Sequence, residues 1–160
     1  MIFVAVGTQK FQLNRLLKAV DDLVEQGLLT GEVFAQTGHC DYVPRNYRHR
    51  DFLSREEFQT CLSRCELLIT HSGVATIIAA LKLCKPVVVV PRLAEFQEHV
   101  DDHQLQIARS FSRQNYVLLC ESVEDLAQVA QQAQHHRFDR YVSHRQTVAD
   151  TIREYLSTIG

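Results

Sequence analysis

LLITHSGVAT, at residues 67–76, is the stretch that decides the fold. Its first part, from Leu67 to Thr70, is an apolar run without alternation, which predicts a strand buried on both faces of a sheet. A helical pattern begins at about Gly73 and continues to about Leu83. The sequence therefore predicts a buried strand that passes through His-Ser-Gly directly into a helix.

Short apolar runs alternate with amphipathic stretches along the rest of the chain as well. Strands are predicted at residues 2–6, 32–37, 86–90 and 116–120, and helices at about 13–24, 54–65, 100–112, 123–134 and 143–157. The polar segment 39–50 predicts a loop, with a short edge strand before Phe52 as the alternative. Strands separated by helices in this way need a parallel sheet with helices on both faces. We therefore predict one domain, residues 1–160, with a doubly wound α/β fold of about six strands. Ligands of such sheets bind beyond the carboxyl ends of the strands, where the strand order reverses.

Composition and charge exclude several classes of function. A net charge of −2 and a pI near 6.4 argue against broad electrostatic binding to nucleic acid. No apolar run approaches the roughly 20 residues of a membrane-spanning helix, and the first residues lack the basic region of a signal peptide. Five cysteines, an odd number, suit reduced thiols in the cytosol better than a disulfide framework. We therefore expect a cytoplasmic protein that reaches a membrane only through a partner.

Two strand ends carry residues suited to an anion. After the first strand, Gly7 lets the backbone approach a ligand and Thr8 offers a hydroxyl, although Thr8 as a helix N-cap in a tight turn is the alternative. After the strand at 67–70, the free amides of a helix start and the hydroxyls of Ser72 and Thr76 predict a diphosphate site. The alternative is that Ser72 only caps that helix and His71 only fills a turn. Neither GxGxxG nor GxxxxGK[ST] occurs, so the dinucleotide fingerprint and the P-loop lose their main support.

A third polar segment, PRLAEFQEHVDDHQ at residues 91–104, follows the next strand and reaches the same edge of the sheet. Its side chains can hydrogen-bond sugar hydroxyls. His99 and His103 share a helix face as two metal ligands do, but no HExxH and no third ligand is evident, so no metal is expected. A metal-dependent hydrolase built on His99, Asp102 and His103 is kept as an alternative function.

Three motifs occur in order along the chain: FVAVGT at residues 3–8, ITHSGVAT at 69–76, and the segment between 85 and 104 that begins with KP and ends with EHVDDHQ. With these motifs the sequence resembles the C-terminal, donor-binding domain of the family 28 glycosyltransferases, the MurG-like group. It is most similar to free-standing forms of that domain, the PssE-type exopolysaccharide glycosyltransferase subunits and the catalytic subunit of the dolichol-linked UDP-GlcNAc transferase. The resemblance covers nearly the whole chain.

The resemblance implies a GT-B architecture, in which two Rossmann-like domains face each other and the C-terminal one binds a UDP-sugar. It also implies roles for residues of this chain: the phosphate side is lined by Gly7 and Thr8, the uracil meets the backbone at Phe52 and Leu53, the diphosphate is held by His71, Ser72, Gly73 and Thr76, and the donor sugar contacts His103 and Gln104. Relatives often carry a ribose-binding glutamate where this chain has Ala79. The ribose contact is therefore left open.

The function implied is that of the catalytic subunit of a two-component inverting glycosyltransferase. It would transfer a hexose or N-acetylhexosamine from a UDP-sugar to a lipid-linked acceptor in polysaccharide biosynthesis, without a metal or other cofactor. A membrane-associated, PssD-type subunit would bind the acceptor at the cytoplasmic face of the membrane and supply the general base. Glu98, His99 and Asp102 are the fallback bases within this chain. A non-catalytic nucleotide-binding or scaffolding module of the same fold is the alternative.

Overall fold

Six strands of the described chain, five of them apolar, form one parallel sheet. The computed structural model describes residues 1–142 together with residues 152, 153 and 156. The strands are β1 (Ile2–Ala5), β2 (Val33–Gln36), β3 (Arg48–Arg50), β4 (Leu67–Thr70), β5 (Val87–Val89) and β6 (Leu118–Leu119). Their order is β3-β2-β1-β4-β5-β6, so the winding reverses between β1 and β4. The prediction of a doubly wound parallel sheet is confirmed, and β3 is the edge strand that was the alternative to a loop.

Helices cover both faces of this sheet. They are α1 (Asn14–Glu25), α2 (Arg55–Arg64), α3 (Val74–Lys82), α4 (His103–Arg113) and α5 (Leu126–Ala133), with 3-10 turns at Ala94–Phe96 and Val123–Asp125. The predicted helix at 143–157 lies almost wholly outside the described residues. None of the helices in the described part of the chain has the length and apolar character that a membrane crossing requires.

The two faces of the sheet carry separate apolar clusters because side chains alternate along each strand. On β1, Val4 packs with Leu16 and Leu17 of α1, whereas Phe3 packs with Leu62 of α2 and Ile77 of α3. The strand side chains involved are almost completely buried. Burial on both faces explains why the strands read as continuous apolar runs in the sequence.

The starts of α2 and α1 test two predicted helix caps. At α2, Ser54 Oγ accepts a hydrogen bond from the amide of Glu57 at 3.1 Å, and the Ser54 amide donates to the Glu57 carboxylate at 2.8 Å, so the predicted capping box is confirmed. The alternative that Thr8 caps the first helix is wrong. Helix α1 begins at Asn14 with Leu13 as its N-cap, and residues 7–13 form a loop between β1 and α1.

Helix α4 begins at His103, later than the predicted start near Val100. The preceding segment is held in a separate turn in which Gln97 adopts a left-handed backbone conformation with φ of 58°. The Glu98 carboxylate accepts from the amide of Leu93, and Asp102 accepts from the amide of Ala94. Next to the helix, the Asp101 carboxylate accepts from the amide of His103 at 3.0 Å. This local side-chain acceptor competes with helical hydrogen bonding, which accounts for the later start.

A buried carboxylate anchors the loop between β2 and β3. Asp21 of α1 accepts hydrogen bonds from the amides of Arg45 and Asn46 at 3.0 and 2.8 Å, and from the Tyr42 hydroxyl at 2.8 Å. Burial raises the pKa of Asp21, but these hydrogen bonds together lower it below its ordinary value. The polar loop is therefore fixed to the helix that covers β1 and β2.

Candidate functional site

A cavity of about 400 Å³ opens at the carboxyl edge of the sheet, at the switch point between β1 and β4. Its walls come from the loop after β1, the start of α2 and the turn between β4 and α3. The lining residues are Gly7, Thr8, Gln9, Gln36, Leu53, Ser54, Arg55, Phe58, Gln59, His71, Gly73, Val74, Ala75 and Thr76. The cavity lies where the topology of an open α/β sheet places a ligand.

Two glycines press against the His71 ring from the cavity walls. A Cβ built on Gly7 would lie 2.5 Å from His71 Nε2, and one built on Gly73 would lie 2.5 Å from His71 Cε1. Gly7 also has φ of 83°, a conformation that residues with a Cβ rarely adopt. The Nε2–Cε1 edge of the imidazole thus lies between two stretches of backbone that line the cavity.

His71 itself is buried and neutral. Burial, and secondly the Arg92 guanidinium, lower the pKa of His71 to about 3. Arg92 Nη1 lies 3.1 Å from His71 Nδ1. The prediction that His71 belongs to the site is supported by its position in the cavity wall, and Arg92 behind it is a contact that the sequence analysis did not assign.

The start of α3 faces the same cavity. Gly73 is its N-cap and makes no side-chain capping bond, so the amides of Val74, Ala75 and Thr76 lie in the first turn, where helical partners are lacking. Thr76 lines the cavity beside them. Amides of this kind, together with the positive end of the helix dipole, favour an anion.

Ser72 occupies a different place from the one expected. It is buried, it is not part of the cavity wall, and its Oγ has no hydrogen-bond partner among the described residues. The alternative that Ser72 caps α3 is wrong, because Gly73 takes the N-cap position. Its predicted contact with the diphosphate stays a prediction.

Gln104 ties the turn after β4 to the turn after β5. Its Oε1 accepts from the amide of Arg92 at 3.0 Å and from the amide of Ser72 at 3.4 Å. Its neighbour His103 lies with Nδ1 at 2.8 Å from the Asp101 carboxylate. Neither Gln104 nor His103 lines the cavity, so their predicted contacts with a donor sugar stay predictions.

The far side of the cavity is formed by the segment after β3 and by α2. Leu53 lines the cavity, and the Leu53 amide donates to the side chain of Gln36 at 2.9 Å. Gln36 is buried, and nothing in the sequence marked it as a residue of the site. Phe52 is exposed, packs edge-on against His39 and does not line the cavity. A nucleobase bound at this segment would therefore contact backbone carbonyl groups, because the Leu53 amide already donates to Gln36.

Ala79 lies away from the cavity and packs against the apolar cluster between α3 and the sheet. Arg55 and Gln59, both on α2, line the cavity and carry the hydrogen-bonding groups that Ala79 lacks. The capping box at Ser54 was the sequence signal that placed α2, but nothing in the sequence showed that α2 faces the strand ends.

The fallback bases are each engaged with other groups. Glu98 is buried and its carboxylate receives two hydrogen bonds from Arg15, at 2.9 and 3.0 Å. His99 Nδ1 lies 3.0 Å from Asp101, and Asp102 accepts the amide of Ala94 at 2.9 Å. The ion pair with Arg15 gives the Glu98 carboxylate a structural role. His99 contacts Asp101 through Nδ1, so its Nε2 takes no part in that contact.

The geometry gives the hydrolase alternative little support. Asp101, and not Asp102, joins the imidazoles of His99 and His103. Within residues 1–142 and the few described residues beyond them, no group of at least three His, Cys, Asp or Glu side chains comes together in a way that could hold a metal ion. The alternative of a metal site between the two histidines therefore finds no ligand set among these residues.

Comparison with known proteins points to one family. The sequence model described as the glycosyltransferase family 28 C-terminal domain matches residues 1–156. The UDP-N-acetylglucosamine transferase subunit ALG13 of Homo sapiens is 26% identical over 131 residues, which cover 74% of this chain and 11% of the human protein. The Mus musculus subunit is 24% identical over 125 residues, 74% of this chain and 10% of that protein. This chain thus spans about a tenth of the length of these two relatives.

Solved structures show the same fold. An NMR solution structure of ALG13 superposes with a TM-score of 0.63 at 21% identity and covers 96% of this chain and 94% of that one. The glycotransferase of kitacinnamycin gives a TM-score of 0.60 at 16% identity and covers 99% of this chain and 40% of that one. At these identities the likeness shows the fold alone.

Proposed function

Because the chain belongs to the glycosyltransferase family 28 C-terminal domains, we propose that it is the catalytic, UDP-sugar-binding subunit of a two-component inverting glycosyltransferase. Its proposed reaction transfers a hexose or N-acetylhexosamine to a lipid-linked acceptor in polysaccharide biosynthesis. The observation that carries the proposal is the cavity at the switch point, where the His71 ring edge and the start of α3 converge. These groups are hydrogen-bond donors, which suits an anionic ligand.

The diphosphate of the donor is proposed to lie against the first turn of α3. The proposed partners are the amides of residues 74–76, the Thr76 hydroxyl and His71 Nε2, because these residues line this part of the cavity. Gly7 allows the phosphates to approach the loop after β1, and Thr8 adds a hydroxyl. Preorganised donors of this kind stabilise negative charge without a metal ion, and we propose none.

The nucleoside is proposed to extend from the diphosphate towards α2. The uracil would meet the backbone at Leu53, whose carbonyl remains available. Arg55 and Gln59 are the proposed partners of the ribose hydroxyls, in place of the side chain that Ala79 lacks. His103 and Gln104 keep their proposed role near the donor sugar, at the same edge of the sheet.

In the proposed reaction, a hydroxyl oxygen of the acceptor attacks the anomeric carbon of the donor sugar. The bond from that carbon to the β-phosphate oxygen breaks, UDP leaves with the electron pair, and a general base takes the hydroxyl proton. Attack on the face opposite the leaving group inverts the anomeric centre. The task of this chain is to bind and stabilise the departing UDP, since negative charge grows on its β-phosphate as the bond breaks.

A membrane-associated, PssD-type partner is proposed to bind the lipid-linked acceptor and to supply the base at the cytoplasmic face of the membrane. The relatives named above are described as subunits of a transferase, which supports a partner. Glu98 is a poor candidate for the base because Arg15 holds its carboxylate. His99 is the best fallback within the chain, because Asp101 can orient its ring.

Isothermal titration of the purified chain with UDP and with ADP tests the proposed donor site. We expect UDP to bind and ADP to bind at least about tenfold more weakly, a difference of about 1.4 kcal/mol. Thr76→Val keeps the shape of the side chain and removes one hydroxyl from the cavity wall, so it should weaken UDP binding. Thr60→Val, on the exposed face of α2, is the matched control and should bind UDP normally. The proposal would be contradicted if UDP and ADP bound equally well, or if neither nucleotide bound.

A non-catalytic nucleotide-binding or scaffolding module is the second candidate. It is favoured by one observation, that Ala79 packs against the apolar cluster and offers no group to the ribose. Both candidates bind UDP, so binding does not separate them. Release of UDP from a UDP-sugar by the chain together with its purified partner and a lipid-linked acceptor supports the transferase, and binding without release under those conditions supports the module.

A further inference from the structure

Arg92 carries a positive charge into the interior directly behind the candidate site. The residue is 1% exposed, and its side chain runs from the end of β5 beneath the loop that follows β1. Its Nη2 donates to the carbonyl oxygen of Val6 and to that of Phe11, and its Nη1 contacts His71 Nδ1. The amide of Arg92 is held in turn by Gln104. The guanidinium is thus held by groups from two segments, the loop after β1 and the turn after β4, while Gln104 holds the backbone of the residue.

No carboxylate pairs with this guanidinium among the described residues. The nearest candidate, Glu98, lies close enough to raise the pKa of Arg92, but its carboxylate hydrogen-bonds Arg15 and the amide of Leu93 instead. Arg92 Nε has no hydrogen-bond partner in the described part of the chain. Burial lowers the pKa of Arg92, which is the cost of holding an unpaired cation away from water. Arg92 therefore places a buried positive charge next to His71, which lines the cavity.

The contact with Arg92 fixes the protonation of His71. A guanidinium has donors and no acceptor, so the nitrogen that faces it, His71 Nδ1, must act as the acceptor. The one proton of a neutral imidazole then resides on Nε2. That nitrogen belongs to the ring edge between Gly7 and Gly73, which line the cavity.

From this chain of contacts we propose that Arg92 is a positioning residue for the donor diphosphate: it fixes His71 as the Nε2–H tautomer and polarises that N–H towards the phosphates. The proposal rests on the proposed function of the cavity as a diphosphate site. Arg92 itself does not line the cavity, so it acts through His71 and through the Gly7 loop. The diphosphate would thus be recognised by a neutral imidazole backed by a cation, and not by an imidazolium.

The proposal predicts how binding responds to pH. Burial and the Arg92 guanidinium both oppose protonation of His71. The titratable groups near Arg92 are Glu98, which pairs with Arg15, and the Cys40 thiol, whose pKa is raised by burial. His71 therefore stays neutral between about pH 5 and pH 8 in the unaltered chain. Without Arg92 one of the two opposing causes is lost, and a bound diphosphate favours the imidazolium. Binding should then become tighter as the pH falls.

A double-mutant cycle with UDP tests this coupling. Arg92→Met keeps the unbranched apolar stem of the side chain and removes the charged group, and His71→Asn removes the imidazole. We expect Arg92→Met to weaken UDP about tenfold at pH 8 in the unaltered background, and less than about threefold in the His71→Asn background, because Arg92 acts through the ring. Arg92→Lys should restore part of the loss, and Arg109→Met, at an exposed pair with Glu121, is the control.

The pH profile provides a readout that a purely structural role of Arg92 would not change. When the pH is lowered from 8 to 5.5, the UDP affinity of Arg92→Met should rise by about threefold relative to that of the unaltered chain. In the unaltered chain, the pH profile should reflect only the protonation of the nucleotide itself. Parallel profiles, or equal losses in the two backgrounds of the cycle, would overturn the proposal. If the unaltered chain does not bind UDP at all, it is the proposed function that fails.

Nitrogen-15 NMR of the histidine rings supplies a test that needs no ligand. In the unaltered chain, His71 should give the pattern of a neutral ring with the proton on Nε2 throughout pH 5 to 8. The assignment is made by comparison with the spectrum of His71→Asn or, if that variant does not fold, by elimination with variants of the other seven of the eight histidines. A proton on Nδ1, or an imidazolium at pH 6, would contradict the proposal whatever the binding data show.

Discussion

Gly7 and Gly73 separate two physical effects that usually occur together, namely backbone strain and steric overlap. Gly7→Ala imposes both, because the residue has φ of 83° and its new Cβ would lie 2.5 Å from His71 Nε2. Gly73→Ala imposes overlap only, since its φ of −75° is ordinary while its Cβ would meet the same ring at 2.5 Å. Gly31→Ala imposes strain only, because φ is 92° and no atom lies within 4 Å of the new Cβ.

The magnitudes follow from these two contributions. A left-handed residue with a Cβ costs about 1–2 kcal/mol, and inserting a methyl group into a packed site costs about 1–3 kcal/mol. The His71 ring cannot move away freely because Arg92 holds its Nδ1. We therefore expect losses in the free energy of unfolding of about 1–2 kcal/mol for Gly31→Ala, about 1–3 for Gly73→Ala and about 2–5 for Gly7→Ala.

Urea unfolding followed by circular dichroism measures these losses, provided that the dependence on urea concentration is the same for all variants. UDP titration of the folded variants gives the second readout. Gly7→Ala and Gly73→Ala should weaken UDP, because the methyl group displaces the ring edge that faces the cavity, whereas Gly31→Ala should bind UDP normally. A Gly7→Ala variant no less stable than Gly31→Ala would refute the placement of His71 against the Gly7 loop.

Three further predictions concern buried polar groups. Asp21→Asn should cost about 1–3 kcal/mol at pH 7. Because the folded pKa of Asp21 is lowered, its contribution is present above the ordinary pKa and is lost as the pH falls through the folded value, so acid unfolding should depend less on pH in the variant. Arg15→Met should cost about 3 kcal/mol in urea unfolding by leaving Glu98 buried without its cation, and adding Glu98→Gln should recover part of it. Gln104→Ala should lower both stability and UDP affinity by removing the acceptor of two amides, while Gln104→Glu should restore stability but not affinity, as measured by urea unfolding and titration. Unchanged stability in any of these variants would contradict the corresponding contact.

The centre of the sheet could be predicted from the sequence because β1, β4 and β5 are buried on both faces. Continuous apolar runs such as Leu67–Thr70 and Val87–Val89 allow few other structures, and the capping box at Ser54 fixes the start of α2 without tertiary information. The start of α4 was placed too early. There the helical pattern continues through residues 100–102, but the Asp101 carboxylate accepts the amide of His103 and stabilises a local turn instead.

The site could be predicted only in part, because a sequence pattern does not show which way a side chain turns. The loop glycine Gly7 and the His-Ser-Gly turn were found, since both follow strands that end at the switch point. Ser72 turns inward, and Phe52 turns outward against His39. Ser72 and Phe52 each follow a strand end, as do residues that line the cavity, so their position in the sequence does not separate the two groups.

Arg92 was missed for a different reason. An arginine after a strand is usually exposed, and nothing local to its position predicts that it is buried. Its burial depends on carbonyl groups of Val6 and Phe11, which lie more than 80 residues earlier in the chain. Only the order of the strands brings these groups together.

A crystal structure of the chain grown with UDP tests the donor site most directly. We expect the diphosphate to lie within hydrogen-bond distance of His71 Nε2 and of the amides at residues 74–76, with the uracil against Leu53. UDP bound at another part of the surface, or a diphosphate placed out of reach of His71 Nε2, would contradict the assignment of this cavity as the UDP-sugar site.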